Sequence, residues 1–309
     1  MFTPSKFLSK KKAFTRHTSA LVHIPYITNT WVREMASLAK RLRLSSQIPA
    51  VINMFKVPGH MESWEILTRG SAFPVKWRNR TRWLTSRHVT HPQMHADSYY
   101  VNDDVEWLND VKEDMTRHHL EWRTPDGSIL RTASVARVIG HRDLDVAELI
   151  FSEKERKTML TPGFNMLQEE EEEGGVRSVE NKELLFVGHN LNVDIDDSTG
   201  DDLGNMVPNT ELGISALASG FRMVCKTEET LQMGMCGGVC MLLGEKNDDM
   251  VVGMIEGILP GVSEDAAQCL EDGDDIPPKR VADVFPSHAV VLGNRALCTF
   301  LDDNDKSVV

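Results

Sequence analysis

No apolar run in these 309 residues approaches the roughly 18 that a helix needs to cross a bilayer, so a helical membrane span is not expected. Cysteine is scarce and confined, with all five lying between Cys225 and Cys298. They form no spaced disulfide framework, which argues for a reducing compartment. Acid is missing from residues 1–33, where six Lys or Arg stand, and the first carboxylate is Glu34. Nucleotide-binding loops, haem motifs and zinc-ligand spacings are missing too, so neither a cofactor nor a metal site is expected.

What is present is of ordinary globular composition, with a net charge of −12 that is unevenly spread. The acid-free basic opening, rich in Ser, Thr and Phe, has the composition of a mitochondrial targeting segment; the alternative is a basic arm for acidic partners, RNA included. Direct nucleic-acid binding is not expected elsewhere. Trp31, Met35, Leu38 and Leu42 recur at helical spacing and predict an amphipathic helix, docked by default on the protein's own core. Val105, Leu108, Val111, Met115 and Leu120 suggest a further helix over 103–122, with His118 and His119 on its surface. Gln168 to Gly175 is an acidic low-complexity run, read as a solvated linker. Asp194 to Asp202 has the look of a calcium loop, but Asn205 stands where the closing glutamate belongs, so a surface loop is expected. Ala289–Leu292 and Ala296–Leu301 are left open between strand and helix.

The chemistry gathers at Met233-Gly234-Met235-Cys236-Gly237-Gly238-Val239. Glycines let such a turn fold tightly and aim successive amides into one small space. A carbonyl oxygen becoming an anion is then held by the backbone N–H groups of Gly234 and Cys236, an oxyanion hole, with the Cys236 sulfur beside it. A free thiol is mostly protonated at neutral pH and needs a base. His88, ending the strand-like run Trp83 to Val89, is the candidate base. Asp145, opening the apolar stretch that ends at Leu149, is the candidate to orient the ring.

His, Asp, then nucleophile is the chain order of chymotrypsin-type triads. Here the chain resembles trypsin-like peptidases. Gly70-Ser71-Ala72-Phe73, Asp126-Gly127, Ala136 to Ile139 and Phe186 to Leu191 resemble the corresponding segments of HtrA-type enzymes. The Gly-x-Cys-Gly-Gly-Val wording is closer to picornavirus-type cysteine proteases. The resemblance covers about residues 64 to 260. It implies an all-β, chymotrypsin-like double β-barrel with short added helices. Residues 1–57 would be the targeting segment and amphipathic helix, 58–162 the N-terminal barrel, 163–182 the acidic linker, and 183–309 the C-terminal barrel and tail.

The same resemblance implies a cysteine endopeptidase acting on a polypeptide substrate, with Thr230, Leu231, Met254 and Ile255 at the substrate pocket. Departures from the pattern are Arg87, where relatives carry a small residue, and Glu148, which interrupts an apolar run. They favour a second reading, an inert protease-fold subunit of a mitochondrial assembly such as a ribosome.

Overall fold

The computed structural model describes residues 38–95, 106–159, 161–167, 179, 181–192, 205–219, 221–243, 250–259 and 288–307. The basic opening, the acidic run, the suspected calcium loop, Cys269 and the Pro277-Pro278 pair lie outside them. Residues 1–42 form one unit and 43–309 another. In the first, the described residues are helical, and Leu38 and Leu42 are exposed.

The second unit is built of strands. They are β1 (Ala50–Phe55), β2 (Glu65–Ser71), β3 (Phe73–Trp77), β4 (Arg80–Thr85), β5 (Thr116–Arg123), β6 (Ile129–Gly140) and β7 (Ala147–Phe151), followed by β8 (Phe164–Met166). Then come β9 (Glu183–Asn192), β10 (Asn205–Ser219), β11 (Arg222–Thr227), β12 (Val239–Leu242), β13 (Met250–Leu259) and β14 (His288–Gly293). The fold is all-β with few short helices.

Strands β12-β9-β10-β11-β14-β13 follow one another antiparallel, and β12 also pairs with β13. That closes six strands into a barrel and removes its edges. Strands β3-β4-β7-β6-β5-β1-β2 make a second antiparallel run, which ends at β2. Strand β8 lies parallel to both β3 and β13 and joins the two runs. Three residues of the expected linker are thus sheet, and β1 lies inside the segment assigned to the targeting region.

Each run buries its own apolar face. Val51, Trp83, Leu120, Trp122, Leu149 and Phe151 pack in the first, with Trp83 edge-on to Trp122 at 5.7 Å and to Phe151 at 6.0 Å. Leu184, Phe186, Val252, Ile255 and Val291 pack in the closed barrel. A third cluster joins them, running from Leu44 and Phe73 through Val187 and Met254 to Phe300. The choice left open in the tail resolves as both: a strand to Gly293, then a helix over Asn294–Ser307 that buries Ala296, Leu297, Phe300 and Leu301.

The helix expected over 103–122 is not found in its described part. Short 3₁₀ turns occupy Glu106–Asp110 and Glu113–Met115, and β5 takes the rest. Apolar spacing misled because Leu108 and Val111 dock on Phe55 and Leu67 from a 3₁₀ turn and the residue after it, while Leu120 is buried in a strand. His118 and His119 therefore sit on β5, not on a helix.

Candidate active site

Strand β4 ends at Thr85, and the next residues wind into one helical turn, Arg87–Thr90, which carries His88. The strand-like reading of Trp83 to Val89 is thus right only as far as Thr85. A turn this short leaves its carbonyls unsatisfied. Side chains from three strands supply the donors. Asn53 Nδ2 donates to the carbonyls of Val89 and Thr90, each at 3.2 Å, and Thr68 Oγ1 donates to Val89 at 2.5 Å. His118 Nε2 lies 2.9 Å from the Thr90 carbonyl.

Asp145 hangs from the loop that enters β7. One carboxylate oxygen accepts the His88 backbone N–H at 2.8 Å, and the other lies 2.6 Å from His88 Nδ1. A carboxylate that holds both the backbone and the ring fixes the imidazole's orientation and leaves Nε2 for another partner. Cys236 lines the same cavity as this ring and favours its charged form. The structure thus brings the three sequence-predicted residues together across strands far apart in the chain.

Electrostatics follow from the contacts. Burial favours the neutral imidazole of His88, but the Asp145 hydrogen bond and the Cys236 sulfur outweigh it and push the ring up to about 10. Burial likewise favours a neutral Asp145, yet the His88 ring and backbone hold its carboxyl below the usual range. A second histidine faces the acid: His95 Nε2 lies 3.9 Å from Asp145, with its ring edge-on to His88 at 6.2 Å.

The Cys236 turn depends on two glycines. Gly234 has φ +97° and Gly237 φ +79°, conformations that L side chains rarely adopt. A Cβ at Gly237 would also meet the Ser71 carbonyl at 2.3 Å. Around them the amides divide into two groups. Met235 N–H donates to Gln232, Gly237 N–H to Ile255 at 2.8 Å, and Gly238 N–H to Met235 at 2.9 Å. The N–H groups of Gly234 and Cys236 donate to no acceptor among the described residues. Ser71 anchors the turn: its N–H donates to the Cys236 carbonyl at 2.8 Å and its hydroxyl to the Gly234 carbonyl at 2.8 Å, while the hydroxyl accepts from His189 N–H at 2.9 Å.

A cavity of about 360 Å³ opens beside Cys236 and His88. Its walls come from β2, from the His88 turn, from Pro92 and His95, and from Leu191 and Met233. The four residues read as the substrate pocket lie elsewhere. Leu231, Met254 and Ile255 are buried in apolar core, and Thr230 is exposed. Sequence reasoning missed Asn53, Thr68, Ser71, His95 and His118 as supports of the site. Only Ser71 had a signal, its place in the Gly-Ser-Ala-Phe segment.

The two departures acquire structural roles. Arg87 Nη1 donates to the Arg142 carbonyl at 2.7 Å, which ties the His88 turn to the loop bearing Asp145. Buried Glu148 takes a two-pronged bond from Arg82 and a third from Asn304 at 3.2 Å.

No family model matches the chain, and no curated protein matches it either. Among the described residues no group of His, Cys, Asp and Glu is placed to hold a metal ion, and no helix is long and apolar enough to span a membrane.

Proposed function

We propose that this chain is a cysteine endopeptidase of the chymotrypsin-like double-barrel type. The observation that carries the reading is the Asp145–His88 pair in the cavity that Cys236 also lines, beside two amides, of Gly234 and Cys236, that donate to no described acceptor. A nucleophile, its base, the base's orienting acid and an anion-binding turn converge on one point, as acyl transfer requires.

In the reaction, the Cys236 thiolate attacks the scissile carbonyl carbon, and the Gly234 and Cys236 amides hold the resulting oxyanion. The imidazolium of His88 gives its proton to the departing amine as the C–N bond breaks, leaving a thioester on sulfur. Water, losing a proton to His88, then attacks that thioester and releases the acid, and the sulfur leaves as thiolate beside the imidazolium. Asp145 stays ionised throughout and supports the charged ring. The acid-free basic opening suits delivery to the mitochondrial matrix.

Arg87 and Glu148, which favoured the inert-subunit alternative, tie the His88 turn to the Asp145 loop and β7 to the terminal helix. Mass-spectrometric analysis of a mixed peptide library incubated with the purified full chain tests the proposal. Cleavage by the native chain that disappears in Cys236→Ala is the expected result; cleavage by neither overturns it.

A further inference from the structure

Asp145 faces two imidazoles, and the proposed reaction uses one of them. Its Oδ2 lies 2.6 Å from His88 Nδ1, while Oδ1 accepts the His88 backbone N–H and has His95 Nε2 3.9 Å away. Local structure builds this juxtaposition. Pro92, with its fixed φ, opens a 3₁₀ turn that ends at Met94, and the His95 N–H donates to the Pro92 carbonyl at 2.9 Å. One guanidinium then holds both segments. Arg87 Nη1 donates to the Arg142 carbonyl in the Asp145 loop at 2.7 Å, and Nη2 donates to Met94 Sδ at 2.6 Å.

Electrostatics decide what His95 does there. A nitrogen lone pair turned toward a carboxylate is repelled, so Nε2 carries the hydrogen of the neutral ring. At 3.9 Å the contact is longer than a hydrogen bond, and the N–H acts as a dipole aimed at Oδ1. The charged groups acting on the ring are Asp145 from the loop entering β7, His88 and Arg87 from the helical turn, and Glu256 from β13. Burial, joined by His88 and Arg87, outweighs the two acids and holds His95 below 6.5. At neutral pH the ring therefore gives Asp145 a dipole. In acid it becomes a full positive charge, which competes with the His88 imidazolium for one carboxylate.

We propose that His95 is a positioning residue that acts through Asp145: neutral, it braces the carboxylate that aims His88, and charged, it draws that carboxylate off. The inference rests on the endopeptidase reading and adds a limit to it. Reactivity of Cys236 fails in acid when His95 takes up a proton, before the Cys236 thiolate does.

The test is the alkylation rate of Cys236 across acid and neutral pH in the native full chain, His95→Gln and His95→Leu, with kcat on a cleaved peptide at neutral pH. Glutamine keeps an N–H near the Nε2 position and never charges. The acid limb of His95→Gln should therefore lie about one pH unit or more below the native limb. A gain of reactivity in acid is not what a damaged site produces. Leucine removes the N–H as well, so its limb should move the same way while its kcat falls about tenfold below that of His95→Gln. Ring-nitrogen NMR of the native chain needs no variant to fold: His95 should show the Nε2–H tautomer at neutral pH and titrate below 6.5 together with the alkylation limb. A native limb that neither variant moves, equal kcat in the two variants, or a His95 ring charged at neutral pH overturns the role and leaves the endopeptidase reading standing. An ordinary thiol profile in the native chain removes both.

Discussion

The Asp145 carboxylate holds His88 twice, by ring and by backbone, so its loss does more than remove a charge. Asp145→Asn keeps the shape but favours the wrong tautomer, and peptide turnover should fall about 10³- to 10⁴-fold, measured as kcat on a cleaved peptide. Another histidine writes a pH dependence into stability. His189 is fully buried, and neither ring nitrogen has a hydrogen-bond partner among the described residues. Burial, aided by Arg123, holds it neutral, down at about 3 from 6.5. The unfolded chain takes up the proton first, so stability falls as pH drops from about 6.5 towards 3. Chemical denaturation of native protein and His189→Leu should show the native chain losing about 2 kcal/mol more between neutral pH and about pH 5. Parallel losses in the two proteins would contradict this.

At the scale of elements, the nucleophile turn is held by a neighbour in the other strand run. Ser71, at the end of β2, donates to Gly234 and accepts from His189, so Ser71→Ala leaves two buried backbone groups without that partner. The expected cost is about 1–3 kcal/mol of stability. A fall in kcat of about tenfold, with KM little changed, should accompany it, because in the proposed reaction the turn binds the transition state. The turn itself was legible in the sequence, since glycines flanking a cysteine imply tight backbone and convergent amides. Legible too, from their order in the chain, were Asp145 and His88, which pair, and Cys236, which lines the same cavity. Illegible were the supports, because Asn53, Thr68 and His118 meet the His88 turn through tertiary contacts that no local pattern records. The substrate side was also illegible. The resemblance suggested Thr230, Leu231, Met254 and Ile255, whereas the last three are buried and the cavity beside Cys236 borders β2.

Across the whole molecule, the terminal helix is fastened to the first strand run by a buried ionic cluster. Arg82 bridges Glu148 and Asp305, the latter at 2.6 Å, and Glu148 also accepts from Asn304. Glu148 read as a flaw in an apolar strand only because its partners lie far away in sequence. Glu148→Ala leaves the partly buried Arg82 with Asp305 alone and should cost about 1–3 kcal/mol, and Arg82→Met with Glu148→Leu should recover most of it. Denaturant midpoints of the three proteins decide this. The proposed activity would depend on a different long-range assembly, since His88 and Asp145 come from one strand run and Cys236 from the other. The most direct measurement of that assembly is the pH dependence of Cys236 alkylation in native protein and His88→Ala. A working thiolate–imidazolium pair predicts fast reaction persisting well below the ordinary thiol pKa of about 8.5 and lost in His88→Ala. Slow labelling with an ordinary thiol profile, the same in both proteins, would contradict the account.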